Sequence, residues 1–116
     1  MVIYTVMKQY VIDELRPADY QKLKDYFNDH FSSSPVDGIY WLPLESDLLT
    51  VEQTEHSDCH PLCVAIDLSN DRLSFELLVR SKNKMRCSCM GYATETQRNW
   101  LIQFADAVLE QLEIKA

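Results

Sequence analysis

Thiols and imidazoles are concentrated in two short stretches of the sequence. The first holds two histidines and two cysteines, and the second holds two cysteines separated by one residue: His56, Cys59, His60, Cys63, Cys87 and Cys89. Thiolate sulfur and imidazole nitrogen are the ligands of tetrahedral structural zinc sites. The sequence therefore offers enough ligands for one zinc ion, although it lacks the CxxC pair that would be more diagnostic.

If zinc is bound, we expect a preferred ligand set drawn from both stretches, namely Cys59, Cys87 and Cys89 with His56 or His60. Cys87 and Cys89 are two residues apart, so on a strand their side chains point the same way, with Cα atoms about 6.6 Å apart. Cys59 lies in a predicted loop and is free to approach them. Cys63 alternates with the apolar residues of its predicted strand and is left out of the set.

Two other interpretations of the cysteines remain open. Free cysteine packs as a small apolar residue, so all four can belong to the core. The cysteines can also form a thiol-redox or nucleophilic site, because the basic neighbours Lys84 and Arg86 would lower a thiol pKa. A nucleophilic cysteine needs a base within hydrogen-bond reach, however, and adjacent residues such as Cys59 and His60 rarely face each other.

Two further stretches are candidates for binding a ligand or a partner. Basic residues recur at every second position in one of them, at Arg80, Lys82, Lys84 and Arg86. They could bind a small anionic ligand or a protein, but basic side chains also protect sheet edges from pairing with other chains. The other stretch contains Tyr40 and Trp41, which alternation sends to opposite faces, as in a buried central strand or a strand with a binding surface.

Three alternating runs are predicted to position these residues. Residues 62–68 and 73–80 each place apolar side chains at every second position, and residues 85–90 alternate in the same way. A period of two is typical of strands, and the intervening Ser, Asn and Asp residues favour turns. We therefore predict a C-terminal antiparallel meander of three strands, with Cys87 and Cys89 on the third.

Helices are predicted before and after this meander. Apolar residues follow helical spacing from Tyr20 to Phe31, after Pro17 at the predicted first helical position, and again from Leu101 to Leu112. Capping boxes, in which a threonine and a glutamine satisfy each other's backbone N–H, begin at Thr50 and Thr94. The first box predicts a short helix near 47–57, and the second begins the C-terminal helix.

Two earlier strands, within 3–14 and at 39–42, complete the predicted elements. The predicted fold class is α+β, a two-layer sandwich whose mainly antiparallel sheet of about five strands carries two long helices on one face. A length of 116 residues predicts a single domain spanning 1–116.

Composition narrows the function classes. The net charge of −7 disfavours general binding to nucleic acid or to anionic membranes. No apolar run is long enough to span a membrane, and the N-terminus lacks a signal-peptide pattern, so we expect a cytoplasmic protein. No glycine-rich phosphate loop or catalytic motif is present. We predict a non-catalytic protein-interaction or ligand-binding domain without a cofactor, with a zinc-binding or thiol-redox module as the alternative.

Overall fold

One mainly antiparallel sheet is the centre of the molecule in the computed structural model, which describes residues 8–31, 37–81, 84 and 87–115. The helices are α1 (Pro17–His30), α2 (Val51–Glu55) and α3 (Glu95–Gln111). The strands are β1 (Gln9–Ile12), β2 (Ile39–Pro43), β3 (Leu62–Ser69), β4 (Arg72–Glu76), β5 (Leu78–Ser81) and β6 (Gly91–Tyr92). Single turns of 3₁₀ helix, Ser46–Leu48 and Ser57–Cys59, flank α2.

The long hairpin that the alternation predicts is present, but its second strand is divided at Leu77. β4 pairs with β3 at Ile66 opposite Phe75, and β5 pairs with it at Cys63 opposite Arg80. Between these two pairs the divided strand has more residues than β3, and the extra residues around Leu77 form a bulge. Because the bulge preserves the alternation, both halves of the divided strand still send their apolar side chains to one face.

The sheet is completed on both sides of this hairpin. β2 pairs with the other edge of β3, as expected for the 39–42 run, while β1 pairs with β4 and β6 pairs with β5. Of the predicted strand within 3–14, the described part is β1, and residues 1–7 lie outside the described chain.

The prediction of a third meander strand over 85–90 is wrong for the residues that the structure describes. Residues 87–90 form a turn, in which the Met90 N–H donates to the Cys87 carbonyl at 3.0 Å. That bond closes the backbone on itself instead of leaving it extended, and pairing with β5 begins only at Gly91. Met85 and Arg86 lie outside the described residues.

The two long helices pack on the same face of the sheet, as predicted. Phe27 of α1 lies against Tyr40 of β2, with ring centroids 5.4 Å apart, and Phe104 of α3 meets Phe75 of β4 edge-on at 6.2 Å. Tyr40 and Phe75 belong to the buried face, so the core fills the space between sheet and helices. Both capping boxes form, at Thr50–Gln53 and Thr94–Gln97.

The opposite face of the sheet, the open face, carries neither of the two long helices, and its side chains are partly exposed except for Cys63, which is 1% exposed. Its side chains include the half-buried Ile39, Trp41, Ala65 and Leu78, and Tyr92, which is 45% exposed. None of the described helices has the length and apolar character required to cross a membrane.

Candidate metal centre

One imidazole and three thiols converge beside the end of α2. The four residues are His56, Cys59, Cys87 and Cys89, and their ligand atoms all lie within 4.8 Å of one another. The Sγ of Cys87 is 2.9 Å from His56 Nδ1 and 3.0 Å from the Sγ of Cys89. Zn–S bonds of about 2.3 Å in a tetrahedron place neighbouring sulfurs about 3.8 Å apart. The cluster therefore has the dimensions of a zinc site, to within shifts of about 1 Å.

The first two ligands are held by one turn of the chain. His56 ends α2, and Cys59 ends the 3₁₀ turn that follows it. The Cys59 N–H donates to the His56 carbonyl at 2.9 Å, and the Cys59 carbonyl accepts from the Ser81 hydroxyl at 2.5 Å. This backbone geometry fixes His56 and Cys59 relative to each other and ties both to the end of β5.

The other two ligands lie in the turn at 87–90. This turn brings Cys87 and Cys89 together on one side, with the Cys89 N–H also directed at the Cys87 sulfur at 3.5 Å. The expectation that both cysteines point the same way is therefore met by a turn rather than by a strand.

Two of the six candidate residues lie outside the cluster. His60 directs its Nε2 to the main-chain carbonyl of Gln53, at 2.7 Å, so the structure selects His56 from the two histidines. Cys63 sits on β3 opposite Arg80, on the face of the sheet away from the helices. One sequence signal could have selected His56. Two residues separate His56 from Cys59, as two residues separate the paired ligands of a CxxC zinc knuckle, with histidine in place of the first cysteine.

The four ligands differ in their protonation. Hydrogen bonding by the Cys89 thiol, the Cys89 backbone N–H, the Cys59 thiol and His56 lowers the pKa of Cys87 to about 6. Burial, followed by hydrogen bonding to Cys87, raises the pKa of Cys89 to about 12. Hydrogen bonding to Cys87 also raises the pKa of Cys59 and that of His56. The Cys87 thiolate thus accepts hydrogen bonds from the groups around it, including the Cys89 thiol and His56.

The burial of the ligands suits a metal ion that is enclosed by protein. Cys59 and Cys89 are 0% and 4% exposed, and His56 and Cys87 are half-buried. Four protein ligands fill a tetrahedral coordination sphere, which is the pattern of structural zinc, whereas catalytic zinc keeps a position open for water or substrate.

The aromatic pair predicted to bind a partner is divided between the two faces of the sheet. Tyr40 is 2% exposed, and its hydroxyl donates to the Asn28 side chain at 2.7 Å within the helix-covered layer. Trp41 is half-buried on the open face. Only Trp41 of this pair is therefore available for contact with a partner.

The two described residues of the basic stretch at 80–86, Arg80 and Lys84, have acidic partners within the chain. Arg80 pairs with Glu76 at 2.5 Å, and Lys84 pairs with Asp58. Lys82 and Arg86 lie outside the described residues. The paired charges weaken the case for a dedicated anion site at Arg80 and Lys84.

Comparisons of the chain with protein-family models, with curated proteins and with solved structures give no match. The function therefore has to be inferred from the geometry of the site.

Proposed function

We propose that the protein is a non-catalytic domain that binds one zinc ion through His56, Cys59, Cys87 and Cys89. The observation that carries this proposal is the convergence of four ligand atoms within 4.8 Å of one another. They come from two segments of the chain, and three thiolates with one imidazole form a standard ligand set for structural zinc.

The ion would act as a cross-link. It would join the end of α2 to the turn before β6, two segments whose cysteines form no disulfide. Because the complete ligand set exists only in the folded chain, the free energy of metal binding adds to the free energy of unfolding. The predicted cytoplasmic location stays a prediction, and it is compatible with this role because a reducing compartment preserves thiolates.

Metal content is the first test of this function. Protein purified without chelator or histidine tag is expected to hold one zinc per chain by elemental analysis and native mass spectrometry. Cobalt substitution is expected to give the absorption bands of tetrahedral thiolate coordination. Cys87→Ser is expected to abolish both signals, whereas the control Cys63→Ser, at a buried cysteine outside the cluster, is expected to keep them.

Stability gives an independent readout of the same proposal. Zinc at a hundred times its Kd would stabilise the fold by about 2.7 kcal/mol, and chelation would reverse the gain. A Tm that does not respond to EDTA, together with no zinc uptake from a stoichiometric solution, would refute the zinc proposal. The thiol-redox alternative would then be favoured, because the sulfurs of Cys87 and Cys89 are 3.0 Å apart.

Protein binding through the open face of the sheet is the second candidate function. The specific observation is that Trp41 and Tyr92 lie on this face, with Tyr92 45% exposed. The partner we propose is a protein with a complementary apolar surface. A photo-crosslinking residue at position 39 is expected to capture such a partner. Trp41→Ala is expected to abolish the capture, and the control Lys84→Glu is expected to leave it unchanged. Capture insensitive to Trp41→Ala would argue against this surface.

A further inference from the structure

Two buried glutamines connect the metal centre to α3. Gln53 and Gln97 are 6% and 1% exposed. Each completes a capping box, in which its side-chain oxygen accepts the backbone N–H of Thr50 or Thr94 at 3.0 Å. Glutamate serves this capping role as well as glutamine does. The caps alone therefore do not account for an amide at both positions.

The amide nitrogens make the connection. Gln53 Nε2 donates to the Cys89 carbonyl at 3.1 Å. Gln97 Nε2 donates to Gln53 Oε1 at 2.8 Å and to the Leu48 carbonyl at 2.9 Å. An amide side chain, unlike the carboxylate of glutamate, can accept a hydrogen bond at the cap and donate another one onward. A continuous chain of hydrogen bonds thus runs from the start of α3 through Gln97 and Gln53 to a ligand residue.

The point of contact is the turn that carries two ligands. Cys87 and Cys89 are separated by one residue, so the orientation of the backbone between them sets the direction of both sulfurs. The Met90 N–H holds the carbonyl of Cys87, and Gln53 holds the carbonyl of Cys89. The backbone carbonyl of Gln53 is itself 2.7 Å from His60 Nε2, which fixes Gln53 at its main chain as well.

We propose that Gln53, held in place by Gln97, is a positioning residue of the metal centre. It fixes the turn at 87–90 so that the sulfurs of Cys87 and Cys89 face His56 and Cys59. Through its hydrogen bond to Gln97, it also connects the metal centre to the N-terminus of α3. This inference rests on the proposed zinc function. Loss of an outer partner that orients a ligand typically weakens metal binding about tenfold to a hundredfold.

Gln53→Glu in the full chain is the sharpest test. The carboxylate still accepts from Thr50 and Gln97, so the cap persists, but its second oxygen faces the Cys89 carbonyl without a proton to donate. We expect the zinc Kd, measured by chelator competition, to rise about tenfold to a hundredfold, and the cobalt bands to shift. Because zinc replaces about two thiol protons, the net charge of the centre changes little on binding, so the added charge is expected to have only a small direct effect on the zinc Kd. The matched control is Gln103→Glu, the same change on the exposed side of α3.

A second pair of variants separates positioning from helix capping. Gln97→Met and Thr94→Ala both weaken the cap of α3, but only the first removes the donor to Gln53. We expect both to lower Tm. Gln97→Met is expected to weaken zinc binding about tenfold, at the lower end for an outer partner. Thr94→Ala is expected to leave the zinc Kd unchanged.

The outcomes distinguish this inference from the zinc function itself. If the wild type binds zinc and Gln53→Glu and Gln97→Met bind it as tightly as their controls, the positioning role is refuted and the zinc site stands. If the wild type binds no zinc, the zinc function fails, and hydrogen exchange of the Met90 amide decides whether Gln53 still positions the turn at 87–90. Faster exchange in Gln53→Glu than in Gln103→Glu supports it, and equal rates refute it.

Discussion

The Nδ1 atom of His56 lies 2.9 Å from the Sγ atom of Cys87, although the two residues are 31 positions apart in the chain. This contact joins the end of α2 to the turn before β6. It also makes His56, rather than His60, the nitrogen ligand of the candidate metal centre. Each of these consequences can be tested separately.

The choice between the two histidines gives the first prediction. His56→Ala removes a ligand, so we expect the zinc Kd to rise by more than about a hundredfold, beyond the cost of losing an outer partner. His60→Ala removes only support for the Gln53 carbonyl, so its effect is expected to be tenfold or less. Chelator competition measures both. A greater loss in His60→Ala would show that the nitrogen ligand is assigned to the wrong residue.

Proton release on zinc binding is the second prediction. The pKa of Cys87 is about 6, so at pH 8 this residue is already a thiolate, whereas the raised pKa values of Cys59 and Cys89 keep those thiols protonated. Binding at pH 8 must therefore displace about two thiol protons, so the apparent affinity is expected to fall about a hundredfold per pH unit just below pH 8. The fall is expected to become steeper at lower pH, because His56, whose pKa is also raised, and then Cys87 take up protons.

Calorimetry in buffers of different ionisation enthalpy measures this proton release. The variant Cys63→Ser, whose cysteine lies outside the cluster, is the control and is expected to release the same number of protons as the wild type. A binding heat that is the same in every buffer would contradict the assigned protonation states.

The acid dependence of stability is the third prediction, and it concerns Asp19 at the start of α1. The two oxygens of the buried Asp19 carboxylate accept from the Arg16 guanidinium at 3.0 and 3.2 Å. Hydrogen bonding to Arg16 lowers the pKa of Asp19. The resulting stabilisation is present above the unfolded pKa of about 3.9 and is lost as the pH falls through the lower folded value.

Asp19→Asn cannot titrate, so its deficit in Tm relative to the wild type is expected to be largest near pH 7 and to shrink below about pH 4. Asp29→Asn, an exposed change on the same helix, serves as the control and is expected to show a smaller difference. A deficit for Asp19→Asn that does not change with pH would refute the ion-pair explanation.

The two glycines of the chain provide the fourth prediction. Gly38 has a φ of +85°, and a Cβ atom there would lie 2.6 Å from the Leu68 carbonyl oxygen. The backbone cannot easily shift, because the Gly38 carbonyl accepts the Leu68 N–H at 2.8 Å. Gly38→Ala is therefore expected to lower the free energy of unfolding by about 1–3 kcal/mol.

Gly91→Ala is the matched control, because no atom beyond its two chain neighbours lies within 4 Å of its Cβ position. Its effect on the free energy of unfolding is expected to stay within about 0.5 kcal/mol. Urea denaturation compares the two variants. Equal costs would contradict the conformational explanation for Gly38.

Sequence patterns predicted those parts of the fold that local interactions determine. The helix beginning at Pro17, the caps at Thr50 and Thr94, and the alternation of β3 and β4 each depend on residues a few positions apart. They could be predicted because helical and strand periodicities and capping bonds are properties of short segments. The same patterns did not predict the bulge at Leu77, which depends on the register against β3. It also depends on two long-range hydrogen bonds, in which the Leu77 N–H donates to the Lys8 carbonyl and the Leu77 carbonyl accepts from the Ala93 N–H.

For the candidate site, the sequence by itself determined the ligand types, and all four residues of the cluster were among the predicted ligands. The tertiary structure decided which of them meet. It turned Cys87 and Cys89 inward on a turn instead of a strand, selected His56 over His60, and sent Cys63 to the other face of the sheet. Those outcomes depend on contacts between segments far apart in the chain, whose register and packing no local pattern encodes.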